Sequence, residues 1–299
     1  MGFPSPAIEG TAIERALGPE GPGSAGSNAS LQAGKTRRGR YLTRIGWWLV
    51  FIIGVLYFFI PLYGTLDFSL KSKPFLSAYT AILNDSQFVS TLTYSFVAGI
   101  LTIIVSVLII VPTAFWVRLK YPGLRPIIEF ITLLPFVIPP IILVFGLDNT
   151  YGNQPLALTN SDNGLNVLLV AAYVILSFPY MYRAVDTGLR AIDIQSLTEA
   201  SQSLGAGWIR ILWQVILPNL RTSLLSGAFL TLAIVVGEFT IATFLSRPAF
   251  APFLGLVGDE RPYEQAALAL VSFGITWVAM ILIAVIGRNS RSRIRVTVG

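Results

Sequence analysis

Apolar residues along this 299-residue chain fall into long unbroken runs, with neither a strand-like alternation nor a helical stripe. Six runs stand out, near 46–66, 88–117, 124–147, 165–182, 222–246 and 266–287. Each is close to or above the roughly 20 residues that a helix needs to cross about 30 Å of hydrocarbon. Charges or Gly, Pro and Asn bound every one of them. The first run has neither the short core nor the small-residue cleavage site of a signal peptide, and is predicted to stay as a span. Between the second and third runs lies only Arg118-Leu-Lys-Tyr-Pro-Gly-Leu-Arg125, a tight turn that forces an antiparallel pair. Pro135, Pro139 and Pro140 interrupt the third run and predict a kinked or broken helix.

Composition agrees with a lipid-embedded chain. Hydrophobic residues reach 54% and charged residues only 12%. A soluble domain carries about twice that charge, because its surface must face water. The chain has no Cys and no His. Disulfides, thiolate nucleophiles, zinc sites of the usual kind and imidazole bases are therefore excluded. A membrane-embedded enzyme would need a catalytic cluster, and none is visible.

The net charge of +6 could point to nucleic acid, but its distribution follows membrane orientation. Sixteen basic residues fall on one side: Lys35, Arg37, Arg38, Arg40 and Arg44, then Arg118, Lys120 and Arg125, then Arg183, Arg190, Arg210 and Arg221, then Arg288, Arg291, Arg293 and Arg295. Four fall on the other: Lys71, Lys73, Arg247 and Arg261. Both termini are expected to be cytoplasmic. Residues 1–44 read as a disordered tail ending in a basic cluster, 45–288 as the membrane domain, and 289–299 as a basic tail.

The longest inner connection, 183–221, has a folded composition. Ser196-Leu197-Thr198-Glu199 has the form of a capping box, with the serine as N-cap and the glutamate reaching back to its N–H. The helix it opens should run to about Leu204, and Gly205 should end it in the left-handed region. A second apolar segment runs from Trp208 to Leu217, and Pro218 fits the first turn of the next helix.

Glu199-Ala200-Ser201, three residues, Gly205, nine residues, then Val215-Ile216-Leu217-Pro218 resembles the EAA loop of permease subunits of bacterial ATP-binding-cassette (ABC) importers. That pattern is Glu-Ala-Ala, three residues, Gly, nine residues, Ile-x-Leu-Pro, placed before the penultimate span. Ser201 and Val215 depart from it by small changes of volume. The resemblance implies an all-α membrane protein of six transmembrane helices with the type I (MetI-like) permease fold, in the bacterial inner membrane. It further implies two cytoplasmic ATPase subunits, a second permease (homologous or identical) and an extracytoplasmic solute-binding protein. Ser196, Glu199, Ala200, Ser201, Gly205, Val215, Leu217 and Pro218 would then couple to the ATPase. The chain would hold no cofactor, since ATP would bind the partner.

Other signals bear on this reading. Ala29-Ser-Leu-Gln-Ala-Gly34-Lys35-Thr36 nearly matches a phosphate-binding P-loop, but it lacks the first glycine and the strand-to-helix setting. Glu238, deep in the fifth run, reads either as lining the substrate path with Thr240 or as a buried hydrogen-bonding group. In the first reading Thr231, Gly237, Thr240 and Thr243 share its helix face. Glu129 fits a local pair with Arg125. Asp148, Asn149, Asn153, Asp162 and Asn163 fit a solvated outer loop better than a calcium loop. The stretch Glu199 to Ala206 resembles the branch of the family that carries polyamines, ferric iron and small oxyanions. Glu238 would suit a cation, so a polyamine is the expected cargo and iron or an oxyanion the alternative. A gradient-driven secondary transporter is the rival class; the internal repeats and midplane carboxylate pairs usual there are not visible.

Overall fold

The computed structural model describes residues 25–153 and 157–289; its elements are helices, with no strand among the described residues. The chain divides into two units, Met1–Tyr63 and Gly64–Gly299. From Ala25 the first unit carries most of α1 (Ala25–Leu70), of which Arg44–Leu70 is long and apolar enough to cross a membrane. Helix therefore begins inside the segment expected to be a tail. Residues 1–24 and 290–299, where the remaining tail expectations fall, lie outside the described residues. The P-loop-like stretch 29–36 sits within α1, so it forms no loop that could cradle a phosphate.

The second unit continues with α2 (Ser77–Leu83), α3 (Ser86–Leu119), α4 (Arg125–Val137), α5 (Pro140–Tyr151) and α6 (Asp162–Arg190). Then follow α7 (Ile194–Ser203), α8 (Trp208–Asn219), α9 (Arg221–Gly237), α10 (Thr240–Phe244), α11 (Phe250–Glu260) and α12 (Pro262–Asn289). Helices α3, α6 and α12 each contain an unbroken span, as does α1. The third span is split as the prolines foretold. Ile138 and Pro139 are extended between α4 and α5, which meet at 99°. Pro140 has no N–H to bond backward and biases Pro139 away from helix, so the chain turns at that point.

The centre of the unit is α3 and α6 with α9 laid across them. Two glycines let α6 and α9 come close. A Cβ on Gly188 would lie 2.5 Å from the Ser223 hydroxyl, and one on Gly227 would lie 2.8 Å from the Met181 sulfur. Small residues at such crossings are how membrane helices gain packing energy without a hydrophobic drive between them. The buried hydroxyls of Ser106 and Ser177 bond across α3 and α6 at 2.7 Å. Helix α3, at 34 residues, is about 51 Å long by its rise, well beyond the hydrocarbon thickness. Near its C-terminal end Phe115 shares a buried cluster with Val185 and Leu189 of α6 and with Ile211 and Ile216 of the elbow formed by α7 and α8.

The fifth span departs from expectation. The run 222–246 is not one helix: α9 stops at Gly237, and Glu238 and Phe239 separate it from the short α10. At the other end α9 meets α8 at 78°.

Candidate functional site

The elbow opens three residues earlier than the capping box suggested. Asp193 is the N-cap of α7, not Ser196. Its carboxylate accepts from the Ser196 backbone N–H at 3.2 Å and from the Ser196 hydroxyl at 2.6 Å. An acidic side chain accepting two donors at a positive helix end outcompetes a serine hydroxyl for the same place. The Ser196 hydroxyl and N–H hold the Asp193 carboxyl below its ordinary range. Glu199 consequently does not reach back; it accepts from the Gln195 side-chain amide at 3.1 Å on the exposed face.

Gly205 ends the helix as expected. Its φ is +79°, and the N–H groups at the turn fold back, Gly205 to the Gln202 carbonyl (2.8 Å) and Ala206 to the Ser201 carbonyl (3.0 Å). Ser201 donates to the Leu197 carbonyl at 2.6 Å, which explains why a serine is accepted where the motif has alanine. In α8 residues 211–216 are wound as π-helix. That widening turns Ile211 and Ile216 inward, and both are fully buried with Leu220 against Phe115, Val185 and Leu189.

A clamp that sequence reasoning missed holds the elbow to α3. The Trp208 ring lies 4.8 Å from that of Trp116, and the Lys120 ammonium sits 4.5 and 4.6 Å from the two ring centroids. The three residues were visible separately; nothing local links position 208 to positions 116 and 120. The elbow's other face is open. Glu199 and Ala200 are exposed, Leu204 is 89% exposed and Ile209 78%, while Val215, Leu217 and Pro218 are half-buried. One side of the elbow is thus seated on its own chain, and the other presents apolar side chains outward.

Glu238 is placed differently from either simple reading. It lies at the break, and its carboxylate accepts from the N–H of Ile241 at 2.9 and 3.0 Å and from that of Ala242 at 3.2 Å. It thus caps α10, satisfying amides that would otherwise be bare at membrane depth. Of the residues expected to share its face, Gly237 and Thr240 stay beside Glu238 across the break, whereas Thr231 is buried in α9. Glu238 and Thr240 do line a cavity of about 400 Å³ with Phe136, Tyr180 and the prolines of the broken third span.

A second cavity, of about 370 Å³, lies between α4 and α6 nearer the elbow. Glu129 pairs with Arg125 at 2.9 Å as expected, and Asp186 draws in Arg190 (2.7 Å), Arg125 (3.3 Å) and Arg118 (3.6 Å). At the opposite end of α6, Asp162 from the expected solvated loop binds Arg247 at 2.9 Å. No group of three or more His, Cys, Asp or Glu able to hold a metal ion occurs among the described residues.

Residues 111–296 match the family model described as binding-protein-dependent transport system inner membrane component. A probable molybdenum ABC transporter permease protein of Haloferax volcanii is 31% identical over 245 residues, covering 79% of this chain and 87% of that protein. The sulfate transport system permease protein CysW of Synechococcus elongatus is 27% identical, covering 72% and 81%. The spermidine/putrescine transport system permease protein PotB of Haemophilus influenzae is 26% identical, covering 65% and 72%. In backbone, the chain resembles one from a bacterial ABC transporter involved in alginate import, with a TM-score of 0.66 and 14% identity, covering 89% of this chain and 99% of that one. At that identity the likeness speaks to the fold.

Proposed function

From the premise that the chain belongs to the family of binding-protein-dependent transport system inner membrane components, and so is an ABC importer permease, we propose that its elbow couples an ATPase to a path for a small oxyanion. The observation that carries the coupling role is the two-sidedness of the elbow. Its inner face is fixed to α3 and α6 through Ile211, Ile216 and the Trp116–Lys120–Trp208 clamp, while Leu204 and Ile209 stand free. A short rigid helix presented in this way suits a groove on a partner. Glu199, Ala200 and Gly205 lie on or beside that free face. The partners in this reading are two cytoplasmic ATPase subunits, a second permease and an extracytoplasmic binding protein, with the elbow and both termini on the cytoplasmic side.

For the cargo, the polyamine expectation drew its physical support from Glu238. That carboxylate is engaged by two backbone amides at the start of α10, which leaves it a poor candidate for a cation ligand. Relatives named for molybdenum and sulfate transport support an oxyanion instead, although relatives named for ferric and polyamine transport are also matched. The test is uptake by the reconstituted importer offered molybdate, sulfate, spermidine and ferric iron separately. ATP-dependent accumulation of either oxyanion is the expected result; accumulation of spermidine alone refutes the cargo assignment. Uptake that continues without any ATPase subunit refutes the coupling role as well.

A further inference from the structure

The cavity beside Glu238 has two unlike walls. One is the broken third span, with Pro135 and Phe136 near the end of α4 and Pro140 at the start of α5. The other is the break in the fifth span, with Glu238, Phe239 and Thr240 leading into α10. By the orientation read from the basic residues, α5 and α10 are the outer halves of their spans.

Helix α10 is tied down along its length. Ile241 and Ala242 are fully buried, and with Leu245 and Ala249 they pack against Ala98 of α3 and Leu169 of α6. Glu238 caps its start. Past its end Arg247, only 11% exposed, turns back to α6. Its guanidinium donates to the Asp162 carboxylate at 2.9 Å and to the Asn166 side-chain oxygen at 3.4 Å. The same oxygen accepts from the Tyr94 hydroxyl of α3 at 2.6 Å. Three residues beyond Arg247, the Phe250 N–H donates to the buried Ser95 hydroxyl of α3 at 2.8 Å. Directed bonds of this kind hold one register and weaken steeply when donor and acceptor part by about 1 Å.

Helix α5 is held differently. Leu143, Val144 and Leu147 pack on the same buried cluster, but no side-chain hydrogen bond or ion pair joins α5 to another element among the described residues. Its Phe145 ring meets Phe244 of α10 with centroids 5.6 Å apart, both rings about half exposed. Apolar contact is non-directional, so packed helices slide along it at little cost, whereas a tied helix does not. At its inner end α5 meets α4 at 99°, and neither Pro139 nor Pro140 has an N–H with which to bond across the bend. The two walls thus differ in kind: one is bonded in place, the other rests on a greasy seam beside a bend short of donors.

We propose that α10 is the still wall of the path and α5 the moving one. The outer end opens as α5 pivots about Ile138 and Pro139 and slides along Phe244, while Arg247 latches α10 to α6 and α3. This deepens the importer reading above and rests on it for the path and the ATP-driven cycle. Arg247 is then a positioning residue, acting on the path through α10 without touching what passes.

The experiment measures distances between pairs of spin labels in the complete reconstituted importer, nucleotide-free and trapped with ATP and vanadate. The chain has no cysteine, so introduced pairs carry no background from it. Ser90→Cys on α3 is the common reference, paired with Asn149→Cys on α5 or with Ser246→Cys just past α10, all three exposed positions. Between the two states the 90–149 distance is expected to change by about 5 Å, a slide of one helical turn, and the 90–246 distance by no more than about 2 Å. Arg247→Gln is expected to broaden the 90–246 distribution at least twofold, to let it shift between states, and to lower uptake severalfold. Asp162→Asn, a milder change at an 86% exposed side chain, is expected to act in the same direction by less. A 90–246 change as large as that of 90–149, or no change in either pair, overturns the division into still and moving walls. Wild-type distances and uptake in both Arg247→Gln and Asp162→Asn overturn the latch. Failure of the importer reading shows separately, as no ATP-dependent uptake of any of the four solutes by the unlabelled wild type.

Discussion

Gly205 allows two explanations of the elbow to be separated. A Cβ added there meets nothing within 4 Å, so the chain itself leaves the position open. The only internal cost of a side chain is the backbone angle, φ +79°, worth about 1–2 kcal/mol for an ordinary L-residue and much less for asparagine, which tolerates the left-handed region. A penalty of that size alone leaves α7 and α8 folded, since both are held from beneath by Ile194, Ile211 and Ile216. If the glycine serves only the turn, Gly205→Asn should resemble the wild type while Gly205→Ala loses up to about 30-fold in the equilibrium constant for forming the native turn. If the empty space is where an ATPase surface presses close, Asn, Ala and Asp should all fail. We expect the second pattern: co-purification of the ATPase with the permease lowered more than tenfold by each of the three, with the chain still in the membrane. Wild-type co-purification by Gly205→Asn, with loss in Gly205→Ala, would show that the clearance has no partner. Undiminished co-purification by Gly205→Asp would remove the elbow as the docking element altogether.

Two further outcomes test how the elbow is held. Lys120, itself exposed, contributes about 0.5–1 kcal/mol through each of its two tryptophan contacts, so Lys120→Met should speed amide exchange across 208–216 roughly 5- to 30-fold, and Lys120→Arg should restore it; unchanged exchange in Lys120→Met means the clamp carries no load. Asp193 has its carboxyl pKa depressed by Ser196, so the stability it lends α7 is fully present above the unfolded aspartate value near 3.8 and is lost as pH falls through the lower folded value. Amide exchange at 194–199 should therefore be slower in the wild type than in Asp193→Asn at neutral pH, with the difference shrinking only below about pH 4; a difference that vanishes near pH 6 refutes the assignment of the cap.

The features legible in advance were local. Gly205 ends its helix in the left-handed region as its place after the apolar run foretold, and Pro139-Pro140 breaks a helix wherever it stands, because the missing N–H is covalent. The N-cap was misplaced because Asp193 and Ser196 are both suitable and lie three residues apart. In the folded chain the serine hydroxyl donates to the aspartate, which makes it part of the cap it was expected to form. The clamp and the Arg118–Asp186 pair join residues far apart in sequence, and no window on the chain contains both members.

Glu238 carries the more general lesson. Hydropathy over 222–246 measures transfer to lipid and is blind to backbone angles, so one long apolar run and two helices separated by a break look alike. The break leaves the first amides of α10 without carbonyls behind them, and at membrane depth each bare amide costs several kcal/mol. A carboxylate placed at the junction answers that cost with three short contacts to Ile241 and Ala242, from the one side chain in the run with two charged acceptor oxygens. The acid and the break therefore explain each other: a continuous helix would have no amides there to satisfy and would pay to bury the charge. By the same reasoning, an acid following glycine in a long apolar run is first a sign of an interrupted helix, and becomes a sign of a cation ligand only when its oxygens are free of the backbone.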